Sequence, residues 1–207
     1  LRHINRLSVS SQHRVCPAAF GGSILVVTSP AFEGRLANGK PFGSASGIVS
    51  GSTPPLVRDK FVVPAPVLTI HDSRVKYLLI LRLAIARRDI TYLGTANPST
   101  LLALMKLYRE NEAALVADLR NGEFFLACEV PADVLASVRK RLRPDPLRAD
   151  EIGQLRAASG GRRIADLWPE LRLVVTWTCA SAGIAVAALR AELSPHTHIH
   201  ELGYVSR

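Results

Sequence analysis

Three short apolar runs, each leading into a stretch of helical periodicity, constrain this chain more than any other feature. Ser23–Ser29 (SILVVTS), Ile90–Ala96 (ITYLGTA) and Leu171–Thr178 (LRLVVTWT) are rich in β-branched residues and too short to be buried helices. After the first, Pro30 stops the run, and Asp72 later stands where a helix N-cap belongs. Val75, Leu78, Leu79 and Ala86 then recur at helical spacing, with Arg74, Arg87 and Arg88 marking a polar side. After the second, Asn97-Pro98 reads as a cap followed by proline at the first helical position. Leu101, Leu104, Met105, Tyr108, Leu115 and Leu119 make the stripe of a long helix, which Asn121-Gly122 closes. Helices over Ala132–Leu142 and from Asp145-Pro146 to Ser159 follow. After the third run, Ala182–Leu193 is an alanine-rich helix and His198–Leu202 a final strand. Strand and helix alternate as in βαβ units. The predicted architecture is therefore an α/β domain, a mostly parallel sheet with flanking helices, whose ligands sit at the carboxyl ends of strands.

The 207 residues suffice for one domain with a buried core and are too few for two full enzyme domains. Residues 1–22 mix arginines, histidines and serines without an apolar run and are expected to form a poorly defined N-terminal segment. The chain opens on Leu1 rather than Met, so it reads as a piece of a longer frame. Glu33–Gly51 is rich in glycine and serine and predicts an irregular loop. The longest uncharged stretch, Leu173–Leu189, holds threonines, a serine and Gly183 and falls short of the roughly 20 apolar residues that span a bilayer. No membrane association is expected. Cys16, Cys128 and Cys179 are odd in number and lack CxxC spacing, which argues against disulfides or zinc and points to the cytoplasm.

A formal net charge of +9 invites a nucleic-acid reading. Arginine outnumbers lysine, however, and the arginines are spread along helical stretches without interleaved aromatics. A coding bias toward arginine explains such a charge, and nucleic acid is disfavoured as a partner. That reading makes one structural demand, namely that Arg139, Lys140, Arg141, Arg143 and Arg148 line a single continuous face. His196, His198 and His200 alternate, so on one strand they would project to one side, but three residues about 7 Å apart in a line close a tetrahedral metal site poorly. No metal site is assigned.

The chain contains no G-x-G-x-x-G, no G-x-x-x-x-G-K-[ST] and no G-x-S-x-G. Three features remain beside predicted strands: the glycine-serine loop Gly43–Gly47, the turn Thr178–Ser181, and the strand end Glu201–Ser206.

Together these segments resemble the auxin-responsive acyl-acid amido synthetase family (auxin-responsive promoter family), plant enzymes with bacterial relatives in the luciferase-like adenylating superfamily. The resemblance rests on motifs in order: TSPAFEG (28–34), NGKPFGSASG (38–47), TANPSTLL (95–102), DLRNG (118–122), LRPDPLRAD (142–150), LWPELRLV (167–174) and ELGYVS (201–206). It implies that residues 23–207 are the central part of an acyl-activating domain. The reaction it implies is ATP-dependent adenylation of a small carboxylic acid, followed by transfer of the acyl group to an amine such as an amino acid, with Mg²⁺ accompanying ATP. Tyr204 would pack against adenine with Gly203 and Ser206 beside it, and Ala180 and Ser181 would border the nucleotide. Ala182, Ser44, Ser46, Thr95 and Asn97 would border the acyl group. Catalytic residues are not assigned, and oligomeric state is left open.

The family's Ser or Thr after the tyrosine motif is replaced by Arg207 here, and the family's upstream phosphate loop and C-terminal lid have no counterpart in these residues. The chain alone is therefore expected to be inactive. Another acyl-adenylating ligase, acting on coenzyme A or a carrier protein, a non-catalytic homologue, and a basic module binding nucleic acid are the alternatives.

Overall fold

The computed structural model describes residues 2–28, 34–42, 59–159, 162–179 and 181–203. Its centre is a four-stranded sheet made of β1 (Ser23–Val27), β4 (Ile90–Thr95), β5 (Leu173–Thr176) and β6 (His198–Glu201), in that spatial order and all parallel. Register is set by pairs such as Leu25 with Leu93, Leu93 with Val174, and Val175 with His200. β5 is buried along its whole length, as a strand covered on both faces must be, whereas β6 is only half-buried. The outer side of β1 is covered in part, because Ile24 exchanges backbone hydrogen bonds with Lys60 and Val62 at 2.8 and 3.0 Å.

Side chains of the sheet alternate between two cores. Leu25, Val27, Leu93 and Val174 face the larger one, with the helices α2 (Ser73–Ile85), α3 (Pro98–Asn121), α5 (Pro146–Ser159) and α7 (Ala182–Glu192). Helix α3 is the hub of this layer and packs against α2, α5 and α7. Leu173 and Val175 face the smaller core, with Cys16, Ala19, Phe20 and Tyr92. Its cover is the helix α1 (Arg2–Val15) and a 3-10 turn over Pro17–Phe20. Helical structure thus occupies Arg2–Val15 and Pro17–Phe20, within the stretch expected to be a poorly defined segment. Gln12 is buried on α1, accepts from the Tyr92 hydroxyl at 3.0 Å and donates to Ser8 Oγ at 3.0 Å, tying the segment to β4.

The predicted caps are present. Asp72 accepts from Val75 N at 2.9 Å, Asn97 accepts from Ser99 N at 2.9 Å, and Gly122 takes φ +77° after α3. Helix α2 departs from its predicted amphipathic form. Leu78 through Ile85 are all buried, so it has no polar side along that run, and Arg82 is buried with the rest. Arg82 is held by backbone carbonyls, donating to Asp118 O and Glu123 O at 3.0 Å each and to Arg143 O at 3.4 Å. Arg148 plays the same part elsewhere, donating to Ile85 O at 3.0 Å and Leu167 O at 2.6 Å. Trp168 Nε1 donates to Ala84 O at 3.1 Å. Two of the last carbonyls of α2 thus gain side-chain donors: Ile85 O accepts from Arg148, and Ala84 O accepts from Trp168 as well as from Arg87 N at 3.0 Å.

The loop predicted over Glu33–Gly51 begins with a short antiparallel hairpin of β2 (Gly34–Arg35) and β3 (Pro41–Phe42). Its turn is built on Asn38-Gly39, with Gly39 at φ +78° donating to Leu36 O at 2.8 Å, a dipeptide suited to tight hairpins. The helix predicted over Ala132–Leu142 is shorter, α4 (Ala132–Val138), and closes in hydrogen-bonded turns from Arg141 and Leu142 to Val138 O. A further short helix, α6 (Ile164–Leu167), precedes β5. Helix α3 departs from helical geometry at Asn111 (φ −121°, ψ 15°). There the Asn111 amide donates to Leu107 O at 2.9 Å, and the buried Glu112 beside it pairs with Arg162 at 2.9 Å.

Candidate functional site at the carboxyl edge of the sheet

In a parallel sheet every strand ends at the same edge, so residues distant in sequence meet there without special design. Beyond the end of β4, Ala96 O accepts from Thr176 Oγ1 at 3.1 Å and from Trp177 N at 3.0 Å, joining the ends of β4 and β5. The chain then turns through Thr178 and Cys179, where Ala182 N donates to Cys179 O at 3.2 Å as α7 begins. β6 comes alongside, with Leu202 N donating to Thr176 O at 2.9 Å.

Glu201 is the polar centre of this edge. Its Oε2 accepts from the Thr178 amide at 2.7 Å and also from the Thr178 hydroxyl, while its Oε1 accepts from Gly203 N at 2.9 Å. Three donors favour the ionised form, so the carboxyl group is held below the ordinary glutamate range, chiefly by the Thr178 hydroxyl and against a smaller opposing effect of burial. Gly203 stands at φ +79°, a left-handed conformation open to glycine. Its carbonyl accepts from Trp177 Nε1 at 3.3 Å. One carboxylate and one indole therefore fasten the segment after β6 to the turn after β5.

Of the residues singled out from the sequence, Thr95, Asn97, Ser181, Ala182 and Gly203 all lie at this edge. Thr95 is buried at the end of β4, and Asn97 is exposed with its Oδ1 engaged in capping α3. Ser181 occupies the N-cap position of α7 without a capping bond from its side chain, and no acidic residue stands in the helix's first turn. The first amides of α7 accordingly lie at this same edge, where they favour a negative charge. Ala180, Tyr204, Ser206, Ser44 and Ser46 lie outside the described residues. Sequence reasoning marked the segments that begin at Thr178 and Glu201 but gave these two residues no role, and it passed over Trp177. The usable signal was an acidic residue ending a strand two positions before a glycine.

Other expectations resolve differently. His196 precedes β6 in a turn, and only His198 and His200 stand on the strand. Among the described residues no three His, Cys, Asp or Glu side chains gather into a metal-holding cluster. The continuous basic face that nucleic-acid binding demanded is not formed, because Arg148 is buried and Arg141 donates to Phe61 O and Val62 O at 2.6 and 2.8 Å. Cys16 is buried, while Cys128 and Cys179 are exposed. An open groove of about 480 Å³ bordered by Val9, Ser10, His13, Arg14 and Phe20 lies on α1, where no strand end contributes to it. No helix among the described residues is long and apolar enough to cross a membrane.

No curated protein sequence matches the chain. Solved structures do match. An acyl acid amido synthetase, GH3.15, superimposes with a TM-score of 0.77 at 19% identity over 98% of this chain and 37% of its own. The AtGH3.15 acyl acid amido synthetase in complex with 2,4-DB gives a TM-score of 0.75 at 19% identity over 95% of this chain and 36% of its own. The chain thus spans little more than a third of the length of the structures it matches, and at this identity the likeness establishes a shared fold. The family model described as the GH3 family N-terminal domain matches residues 1–199, so this chain belongs to the GH3 family.

Proposed function

We propose that the whole protein carrying this chain activates a small carboxylic acid with ATP and passes the acyl group to an amine such as an amino acid. In the first step a carboxylate oxygen attacks the α-phosphorus of ATP, and pyrophosphate leaves with the electrons of the broken P–O bond. In the second the amine nitrogen attacks the acyl carbon, AMP leaves, and the nitrogen loses a proton. The observation that carries this reading is the GH3 assignment over residues 1–199, supported by the fold likeness to acyl acid amido synthetases, one of them in complex with 2,4-DB.

Within this reading Tyr204 packs against adenine, with Gly203, Ser206, Ala180 and Ser181 around the nucleotide. Ser44, Ser46, Thr95, Asn97 and Ala182 border the acyl group. The edge described above is suited to the nucleotide, since it offers a half-buried indole, backbone amides at the start of α7 and a left-handed Gly203 with no side chain to obstruct approach. Glu201 already accepts three hydrogen bonds, and the described residues offer no carboxylate cluster for Mg²⁺. The metal is accordingly assigned to the polyphosphate it accompanies rather than to any of the described residues. A supply of ATP and free amino acids places the reaction in the cytoplasm.

The test is acid-dependent exchange of labelled pyrophosphate into ATP, measured on the whole protein with a panel of carboxylic acids that includes 2,4-DB. Exchange that rises above background with at least one acid is expected, together with weaker ATP binding in Tyr204→Ala. Absence of acid-dependent exchange across the panel removes the reading. The acceptor is identified in the same assay by adding amino acids or coenzyme A and following AMP release.

A further inference from the structure

We infer that Glu201 is a positioning residue for the nucleotide: its carboxylate clamps the turn after β5 to the segment after β6 and so shapes the wall against which adenine rests. The inference rests on the ATP-dependent reading above. Glu201 sits at the last position of the edge strand β6, where nothing in the packing of the sheet requires an acid. Yet both of its oxygens are used, and all three donors lie in the two segments that lead into the nucleotide-facing residues. The Thr178 amide and hydroxyl precede Ser181 by three residues, and the Gly203 amide adjoins Tyr204.

A carboxylate is the side chain that can accept from all three at once without offering a proton of its own. Replacing it by an amide keeps the shape but turns one acceptor into a donor, which then opposes an N–H or O–H donor. The clamp is reinforced by Trp177 Nε1, which donates to the Gly203 carbonyl at 3.3 Å, so that Gly203 is gripped through both its amide and its carbonyl. Gripping both sides of Gly203, at φ +79°, holds it and Thr178 together as one wall for the proposed nucleotide. Glu201 does not touch the nucleotide in this account. It acts through Gly203 and Thr178, and preorganisation of a binding wall is the effect it supplies.

The test measures MgATP affinity of the whole protein by titration calorimetry for wild type, Glu201→Gln, Thr178→Val and Thr178→Ser, alongside thermal unfolding and acrylamide quenching of tryptophan emission. Trp168 is buried, so of the two tryptophans in these residues Trp177 is the one whose quenching the substitutions change, read as the difference between each variant and wild type. The expected result is at least tenfold weaker MgATP binding and greater quenching in Glu201→Gln and Thr178→Val. Thr178→Ser, which keeps the hydroxyl, binds as wild type, and all four unfold within about 3 °C of one another. If Glu201→Gln fails to fold, the Val and Ser variants at 178 carry the same comparison. Wild-type binding that persists within twofold in Glu201→Gln and Thr178→Val overturns the clamp while leaving the ATP reading intact. Loss of affinity that merely tracks loss of thermal stability overturns it as well. A wild-type protein that binds no MgATP removes the nucleotide reading and the clamp together.

Discussion

Arg82 reaches from the last turn of α2 to the backbone carbonyl of Asp118 near the end of α3, at 3.0 Å, and has no exposed surface. The Asp118 side chain is turned the other way, with Oδ2 accepting from Phe125 N at 2.7 Å. Burial lowers the pKa of Arg82, and the charges of Asp118 and Asp145 oppose that effect. The guanidinium therefore works as a planar fork for carbonyls at a helix C-terminus, where the macrodipole is negative. Replacing Arg82 by Met is expected to destabilise the fold by about 3 kcal/mol or more, since charged hydrogen bonds of about 1.5–3 kcal/mol each are lost and buried carbonyls are left bare. Arg82→Lys is expected to recover less than half of that, because one ammonium cannot match the fork. Midpoints of urea unfolding check both.

Gly122 ends α3 at φ +77°, and a Cβ built there would lie 2.5 Å from Pro144 Cδ. Gly122→Ala should cost more than about 1 kcal/mol from the left-handed conformation alone, with the overlap adding to it. Gly39 has a similar φ of +78° but no atom within 4 Å of the built Cβ, so Gly39→Ala measures the conformational part by itself. Thermal unfolding of the two variants is expected to rank Gly122→Ala well below Gly39→Ala.

The order of elements was legible because each rests on local chemistry. Asp72 and Asn97 as caps, Gly122 as a stop and the stripe from Leu101 to Leu119 carry their signal within a few residues. The burial of Arg82 and Arg148 was not legible, because what buries them is a set of carbonyls 19 to 63 residues away. A sequence pattern assigns such arginines to a polar face. The first helix was missed for a related reason: α1 is a polar helix, and its docking depends on Gln12 meeting Tyr92. At the candidate site the sequence pointed to the carboxyl edge of the sheet, where Thr95, Asn97, Ser181, Ala182 and Gly203 lie together because parallel strands share that edge. It marked the segment that begins at Glu201 without giving that residue a role, because its partner lies 23 residues earlier in the chain.

Glu201 gives the edge a pH dependence whose sign follows from its partners. The folded-state pKa lies below the ordinary value of 4.5, so the clamp is fully present above pH 4.5 and is lost as pH falls through the lower, folded value. Tryptophan emission from Trp177 is expected to change in a transition centred below pH 4.5 while far-ultraviolet dichroism stays constant. In Glu201→Gln that transition should be missing. A midpoint at or above 4.5 would show that the three donors do not stabilise the carboxylate.

Cys179 offers a direct test of where the nucleotide sits. It is exposed, in the turn that leads into α7, and its thiol lies 3.9 Å from the Thr178 hydroxyl. Cys128 is also exposed but stands in a 3-10 turn (Ala127–Glu129) between α3 and α4, and Cys16 is buried under the other face of the sheet. Among these three thiols, alkylation of the native protein should modify Cys128 and Cys179 and spare Cys16. If adenine lies against the Thr178–Ser181 turn, saturating MgATP should slow modification of Cys179 at least fivefold and leave Cys128 unchanged. Mass spectrometry of peptides carrying each cysteine separates the two rates. Equal protection of both sites would mean a global tightening of the fold, and protection of neither would place the nucleotide away from this turn.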